Sequence, residues 1–307
     1  MLNPQALYAL FAPLADDVRI DEPLKRHTSW RIGGPADVLV APRDLESLQA
    51  CIACAYDAGI PYFILGRGSN LLIRDGGIRG LVIKLGDAFS ELRIEGQTLT
   101  ALAGRSIVSA ANRSMREGLS GLEFATGIPG SVGGAVTMNA GAHGGEIKDV
   151  LKDALVLTRE GALKHVSSQD LAFSYRHSAV PENAWTVVRA TFSLRAGDVM
   201  EMRERTGAWS QRRRLTQPLS QPNCGSVFRN PPGDYSARLI EAAGLKNTRV
   251  GDAMISDVHA NFIVNLGAAT AEDVLELMSR AQEAIQTRFA VELIPEVRVV
   301  GEAKTQG

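Results

Sequence analysis

The sequence predicts a mixed α+β fold in two parts, and three observations carry that expectation. Strand-like and helix-like runs alternate along the first two-thirds of the chain, and two glycine-rich segments interrupt them. The steps Gln217-Pro218 and Gln221-Pro222 then break the pattern ahead of a second lobe. With 307 residues, 45% hydrophobic and 22% charged, the composition is that of a globular protein with substantial cores rather than a disordered chain.

In chain order, MLNPQALYALFAPLADD reads as a short amphipathic helix, without the basic stretch and apolar core of an export signal. Asp44 is a good N-cap for a helix over 45–58, which Gly59 and Pro61 stop. A buried strand over 61–65 runs into the turn Gly66-Arg67-Gly68-Ser69-Asn70. Strand-like runs follow at 80–85, 91–95 and 98–103, then a helical stretch over 107–117. Residues 125–145, ATGIPGSVGGAVTMNAGAHGG, hold no Lys, Arg, Asp or Glu and can supply little core. Such a span suits close approach of backbone to a ligand. A mobile linker is the alternative, but Ile128, Val132, Val136 and Met138 interleave the glycines, whereas linkers are polar. Strand signals return at 154–158 and 186–194, and a polar helix spans 199–213. In the second lobe Thr270 caps a long helix with Asp273 at the capping-box position, and Val274, Met278, Ala281, Ile285 and Phe289 line one face.

Several function classes are disfavoured. The 33 basic and 34 acidic residues leave a net charge of -1, which gives no general field for nucleic acid or an anionic membrane. No run of eighteen apolar residues predicts a membrane span. Cys51, Cys54 and Cys224 are too few for a disulfide framework, so a reducing cytoplasm is expected. Cys51 and Cys54 form a CxxC, but inside the helical pattern Leu45, Leu48, Ile52, Tyr56 and with no second ligand pair; no metal is expected.

The two glycine-rich segments, 66–70 and 127–134, are the strongest chemical signal, because glycines expose backbone N–H groups in nests that bind phosphate oxygens. Two nests suit a pyrophosphate. Neither fits G-x-x-x-x-G-K-[ST], nor G-x-G-x-x-G with an acid about twenty positions on, so a P-loop or Rossmann site is disfavoured.

Six ordered blocks resemble the UDP-N-acetylenolpyruvoylglucosamine reductases of bacterial cell-wall synthesis. They are HTSWRIGGPADVLVAP (27–42), ILGRGSNLLI (64–73), GLEFATGIPGSVGGAVTMNAGAHGGEI (121–147), FSYRHS (173–178), CGSVFRNP (224–231) and LIPEVRVVG (293–301). The resemblance implies an FAD-binding fold of the vanillyl-alcohol-oxidase type, in two subdomains, followed by an α+β substrate-binding domain. The implied division is an N-terminal helical segment over 1–25, an FAD-binding domain over 26–197 with subdomains at about 26–85 and 86–197, and a substrate domain over 198–302. It implies FAD, with NADPH as hydride donor, a UDP-sugar as substrate, and no nucleic-acid or membrane partner; a monomer is favoured. Neither nest holds a His or Cys, so non-covalent FAD is expected.

The resemblance also assigns residues. Gly66, Arg67, Gly68, Ser69 and Asn70 would line the flavin from the first segment. Thr126, Gly127, Ile128, Pro129, Gly130, Ser131, Gly133, Gly134, Asn139 and Gly141 would do so from the second. Reduction of an enolpyruvyl double bond needs a proton donor and groups that stabilise charge developing beside the carboxylate. Ser226 is implied as the proton donor, and Arg176 and Glu296 as stabilisers of the enolate-like intermediate; Arg214 and Asn230 would contact the uridine diphosphate. Without the resemblance, Ser226 reads as a turn residue, Arg176 as a surface cation and Glu296 as a strand end. His27, His177 and His259 show no metal-ligand spacing, whereas His143 sits in the second glycine segment. Between Arg176 and Arg214 there is no room for the tyrosine-bearing loop of the family's longer form, so the shorter form is the better comparison. Two rivals share the nests: a flavin oxidase acting on an alcohol or sugar, and a non-catalytic nucleotide- or flavin-binding protein.

Overall fold

The computed structural model describes residues 3–304. They divide into two compact units, each discontinuous in sequence. The first takes the chain through Ile20 together with Asp37–Arg67 and Gly80–Gln211, and the second takes Asp21–Ala36, Gly68–Arg79 and the chain from Arg212 onward.

The first unit is built on two sheets. A four-stranded sheet orders Asp17–Pro23, Pro35–Ala41, Ile78–Lys84 and Tyr62–Leu65, the last two pairing in parallel. Five consecutive residues of Pro35–Ala41 are buried, so this strand is covered on both faces, with Asp37 among them accepting the Gly80 N–H at 2.8 Å. The helix Leu45–Asp57 starts where the sequence predicts: the Asp44 carboxylate accepts the Ser47 N–H at 2.7 Å, and Leu48, Cys51, Ile52 and Ala55 form its buried stripe. Burial pushes the Cys51 thiol up to about 12, with Cys54 adding to it, so this CxxC is inert packing. A five-stranded sheet, antiparallel throughout, orders Leu163–Ser167, Leu151–Leu157, Thr186–Ser193, Thr98–Leu102 and Leu92–Glu95. Helix Val132–Thr137, inside the second glycine segment, packs on its central strand Thr186–Ser193. One continuous apolar core joins residues from Leu7 to Leu194.

The second unit has its own core. A three-stranded antiparallel sheet, Arg249–Val250, Ala253–Ile255 and Ile263–Asn265, packs against the helix Ala271–Phe289. That helix carries the predicted capping box, with the Thr270 hydroxyl accepting the Asp273 N–H at 3.1 Å, and Val274, Met278, Ala281 and Ile285 buried. Trp30 is fully buried here; its indole N–H donates to the Ile263 carbonyl at 2.8 Å, and the Asn265 amide donates to the Trp30 carbonyl at 3.0 Å. The short strand Leu71–Ile73 pairs in parallel with Arg298–Val300.

These contacts correct the sequence-based division. Residues 1–25 are not a helical segment: the helix is Pro4–Phe11, followed by the strand Asp17–Pro23. Leu7, Phe11 and Ala15 enter the first core because an isolated amphipathic helix has no other place to bury its stripe. The boundary expected at 197/198 falls inside the helix Val199–Thr216, after Gln211. Met202 is buried and Arg205 pairs with the buried Glu123 at 2.7 Å, which ties the first half of that helix to the first unit. Residues 26–36 and 68–79, expected in the flavin domain, and 21–25, expected in the N-terminal segment, join the second unit through Trp30 and the Leu71–Ile73 pairing. Among the described residues no helix is long and apolar enough to cross a membrane.

Candidate active site

The two glycine segments meet in the first unit. A Cβ added to Gly66 would lie 2.5 Å from Ser131 Oγ. The Ser131 hydroxyl in turn accepts the Gly134 N–H at 3.3 Å and caps the helix Val132–Thr137. Residues 130–133 are laced to residues 103–107: Gly130 accepts from the Ile107 N–H at 3.2 Å, Val132 N–H donates to Arg105 at 2.8 Å and Gly133 N–H to Ala103 at 2.9 Å. Gly133 is a glycine for space, since a Cβ there would stand 2.9 Å from that of Ala103. Backbone packed this tightly against backbone forms a cradle with no room for side chains, so a ligand can approach the main chain closely, while the N–H groups of Val132, Gly133 and Gly134 are spent within the protein. It is this side-chain-free approach that fits FAD. Of the first segment, Gly66 and Arg67 belong to the first unit, Gly68, Ser69 and Asn70 to the second. Thr126 spends its hydroxyl on the Glu123 carbonyl at 2.8 Å.

Arg176 also lies in the first unit, at the tip of a tight hairpin. Ser174 and His177 exchange both backbone hydrogen bonds at 3.1 Å, and Arg176 between them has φ +56°, a left-handed conformation costly for a side chain of its kind. Its Nη2 donates to the Gly141 carbonyl at 2.8 Å, which anchors the guanidinium to the end of the glycine segment. Asn139 has no accessible surface, and its amide is spent on three protein partners. Its Nδ2 donates to Glu146 Oε2 at 2.7 Å and to the Ser174 carbonyl at 2.9 Å, and its Oδ1 accepts the Lys148 N–H at 3.0 Å.

The structure brings Ser226 and Glu296 together in the second unit. The Glu296 N–H donates to the Val227 carbonyl at 2.8 Å, and the Arg229 N–H to that of Ile294 at 2.9 Å, so residues 226–229 and 294–297 run as a short antiparallel pair. Buried Asn261 holds the Ser226 side: its carbonyl accepts from Val227 at 2.9 Å, its Oδ1 from Phe228 at 3.0 Å, and its Nδ2 donates to the Phe228 carbonyl at 2.8 Å. Gly225 has φ +85° with nothing within 4 Å of an added Cβ, so conformation, not space, selects glycine beside the serine. Asn70 donates its amide to the Glu296 carbonyl at 3.1 Å, tying the first glycine segment to this strand. Burial, reinforced by the neighbouring Glu296 carboxylate, pushes the Cys224 thiol far above its ordinary value, which removes it as a nucleophile.

Arg214 and Asn230 are exposed. Asn230 Oδ1 accepts the Ser236 N–H at 3.2 Å, at the start of the helix Ser236–Ala242. From Arg176 the chain passes through the strand Thr186–Ser193 and the pair Arg195–Ala196 directly into the helix Val199–Thr216, as expected for the shorter form.

Two features escaped the sequence reading. Glu123 is 5% exposed and accepts from the Ser120 hydroxyl at 2.7 Å, the Gly121 N–H at 2.6 Å and Arg205 at 2.7 Å. Burial works to raise its carboxyl, but those donors outweigh it and hold it below the ordinary carboxylate range. Its signal was a lone acid in the otherwise uncharged stretch 118–145, between Glu117 and Glu146. The second is a flat stack of His143 on Trp209, ring centroids 4.3 Å apart, which no local pattern announces.

The comparisons with known proteins follow this geometry. Residues 36–167 match the FAD binding domain family, and residues 217–300 match the C-terminal domain of UDP-N-acetylenolpyruvoylglucosamine reductase. An FAD-binding domain of the vanillyl-alcohol-oxidase type followed by a substrate-binding domain makes this α+β chain a flavin-dependent oxidoreductase. It is 45% identical over 97% of its length to the UDP-N-acetylenolpyruvoylglucosamine reductase of Halalkalibacterium halodurans, covering 99% of that protein. The identity to the enzyme of Rubrobacter xylanophilus is 48% over 92% of the chain and 95% of the relative. The solved structure of UDP-N-acetylenolpyruvylglucosamine reductase from Thermus caldophilus matches with a TM-score of 0.80 at 38% identity, over 92% of this chain and 98% of that one. The chain belongs to the UDP-N-acetylenolpyruvoylglucosamine reductase family, whose members convert UDP-N-acetylglucosamine enolpyruvate to UDP-N-acetylmuramate in peptidoglycan precursor synthesis.

Proposed function

We propose that this chain carries out that reduction in the cytoplasm with NADPH as the hydride donor, non-covalent FAD held by the glycine cradle, and Ser226 as the proton donor. The observation that carries the site assignment is the pairing of residues 226–229 with 294–297, which sets Ser226 and Glu296 on adjoining backbone. When bound, FAD supplies the hydride that the terminal carbon of the enolpyruvyl double bond accepts. Two electrons arrive with that hydride, so the neighbouring carbon becomes carbanion-like and must take one proton.

Ser226 gives that proton from its hydroxyl. A serine is a weak acid, but the carbon it protonates is a far stronger base than water, so the transfer runs downhill once charge has developed. Arg176 faces the developing charge on the substrate carboxylate with a planar, permanently charged fork. Glu296 is assigned to stabilise the same charge. Arg214 and Asn230 take the uridine diphosphate. We assign the flavin to the first unit and the sugar nucleotide to the second.

The test is an anaerobic cycle. NADPH bleaches the yellow protein, and the enolpyruvyl UDP-sugar restores the colour. Ser226→Ala keeps the bleaching and lowers turnover at least about 100-fold. Normal turnover in this variant removes Ser226 as the proton donor, and a flavin that NADPH cannot bleach removes the donor assignment.

A further inference from the structure

We propose that Asn139 is a positioning residue for Arg176, setting the aim of the guanidinium through the hairpin that carries it. The inference rests on the assignment of Arg176 to charge stabilisation, and it gives Asn139 a role apart from direct contact with the cofactor.

The argument starts from how completely the Asn139 amide is used. A side chain with no accessible surface donates both Nδ2 protons, to Glu146 and to the Ser174 carbonyl, and accepts at Oδ1 from the Lys148 N–H. Asn139 directly follows the cap of the helix Val132–Thr137, so its backbone position is fixed by the glycine cradle. The Ser174 carbonyl is also the acceptor that closes the hairpin from the His177 N–H at 3.1 Å. One amide thus links the end of the cradle to the turn on which Arg176 sits two residues later.

That turn needs holding. Arg176 has φ +56°, a conformation an arginine keeps only where its surroundings over-determine it. Among the restraints that hold it are the Ser174–His177 exchange, the Nη2 bond to the Gly141 carbonyl at 2.8 Å, the guanidinium over the Tyr175 ring, and the Asn139 amide. Gly141 lies two residues beyond Asn139, so both ends of the clamp come from the same stretch of chain. Without the amide, the hairpin keeps its own two bonds but loses its register against Gly141. The guanidinium then samples positions of which few face the substrate, and misplacement on the order of 1 Å costs about 100-fold in rate.

The test compares Asn139→Gly, Arg176→Ala and the double variant as flavin-loaded full-length enzymes. Glycine adopts the φ of +41° at position 139 without strain, so the substitution removes the amide, and with it the partner of Glu146, of the Ser174 carbonyl and of the Lys148 N–H, at no backbone cost. The proposal expects the reoxidation of reduced flavin by the enolpyruvyl UDP-sugar to slow more than its reduction by NADPH in each variant. It expects kcat for the enolpyruvyl UDP-sugar to fall about 10- to 100-fold in Asn139→Gly and about 100- to 1,000-fold in Arg176→Ala. The double variant should be no slower than Arg176→Ala, because residues acting through one group are not additive. Should Asn139→Gly fail to load flavin, Asn139→Asp keeps the volume and the acceptor for Lys148 but sets a carboxylate against Glu146 and the Ser174 carbonyl, which breaks both donated bonds, and carries the same comparison. Parental turnover in a folded Asn139 variant beside a crippled Arg176→Ala overturns the positioning role, as does a double variant that is slower by the product of the two effects. Parental turnover in Arg176→Ala itself overturns the assignment beneath it.

Discussion

Gly66→Ala perturbs the contact that joins the two glycine segments, and its effect can be worked from distances. Gly66 lies outside the left-handed region, so alanine meets no backbone objection; the objection is one atom. The new methyl would stand 2.5 Å from Ser131 Oγ and 3.5 Å from Ser131 Cβ, the latter an ordinary contact. The serine must therefore rotate, which gives up the Gly134 N–H it accepts at 3.3 Å and with it the cap of the helix Val132–Thr137. Loss of such a cap costs about 0.5–2 kcal/mol. Replacing glycine returns about 0.4–1 kcal/mol by reducing the freedom of the unfolded chain. The apoprotein should thus lose no more than about 1.5 kcal/mol, read as a small drop in urea midpoint. On the proposed placement of the flavin phosphates beside this contact, FAD should suffer more, because the displaced hydroxyl and methyl would enter their space, and one charge-assisted hydrogen bond is worth about 1.5–3 kcal/mol, or roughly 10- to 100-fold in affinity. Fluorescence titration of the apoprotein with FAD measures it. The decisive comparison is Gly66→Ala in a Ser131→Ala background, where the clashing oxygen is gone. There the extra methyl should return only the chain entropy of about 0.4–1 kcal/mol and leave FAD affinity within about 0.5 kcal/mol. If Gly66→Ala binds FAD as the parent does, or if its cost is the same with and without Ser131, the two segments do not form one cradle and the reasoning fails.

Two further outcomes follow from the same contacts. Glu123 has a folded carboxyl below its ordinary 4.5, so its share of the stability is fully present above about that pH and is lost as the pH falls through the lower folded value. Glu123→Gln should cost about 1–3 kcal/mol at pH 7, nearer the lower end because Arg205 is half exposed, and should flatten the acid limb of a melting-temperature profile; an unchanged limb would show the buried carboxylate to be idle. Trp30→Phe leaves the Ile263 carbonyl without its donor in the second core and should cost about 1–3 kcal/mol by urea unfolding, whereas a loss below about 0.5 kcal/mol would mean that water or a shifted neighbour replaces the indole.

Much of this molecule is legible in one dimension because the relevant signals are local. Asp44 and Thr270 cap helices through side chains that reach only three residues ahead, so their capping boxes can be read from four letters. The glycine segments declare themselves because absence of side chains is itself a composition, and the proposed reacting residues Arg176, Ser226 and Glu296 sit in blocks specific enough to carry a family resemblance. Tertiary structure decided the pairings across distance. Trp30 moves segment 21–36 into the second unit through a bond to Ile263, 233 residues away, and Glu123 reaches Arg205 across 82 residues. Gly66 against Ser131 and residues 226–229 against 294–297 are likewise meetings that no spacing encodes. Asn139 shows the physical reason most plainly. An amide offers the same donors and acceptor to a phosphate, a carbonyl or water, and sequence supplies the groups without their partners. Only the fold, by removing water and presenting Ser174, Glu146 and Lys148, determines where those hydrogen bonds go.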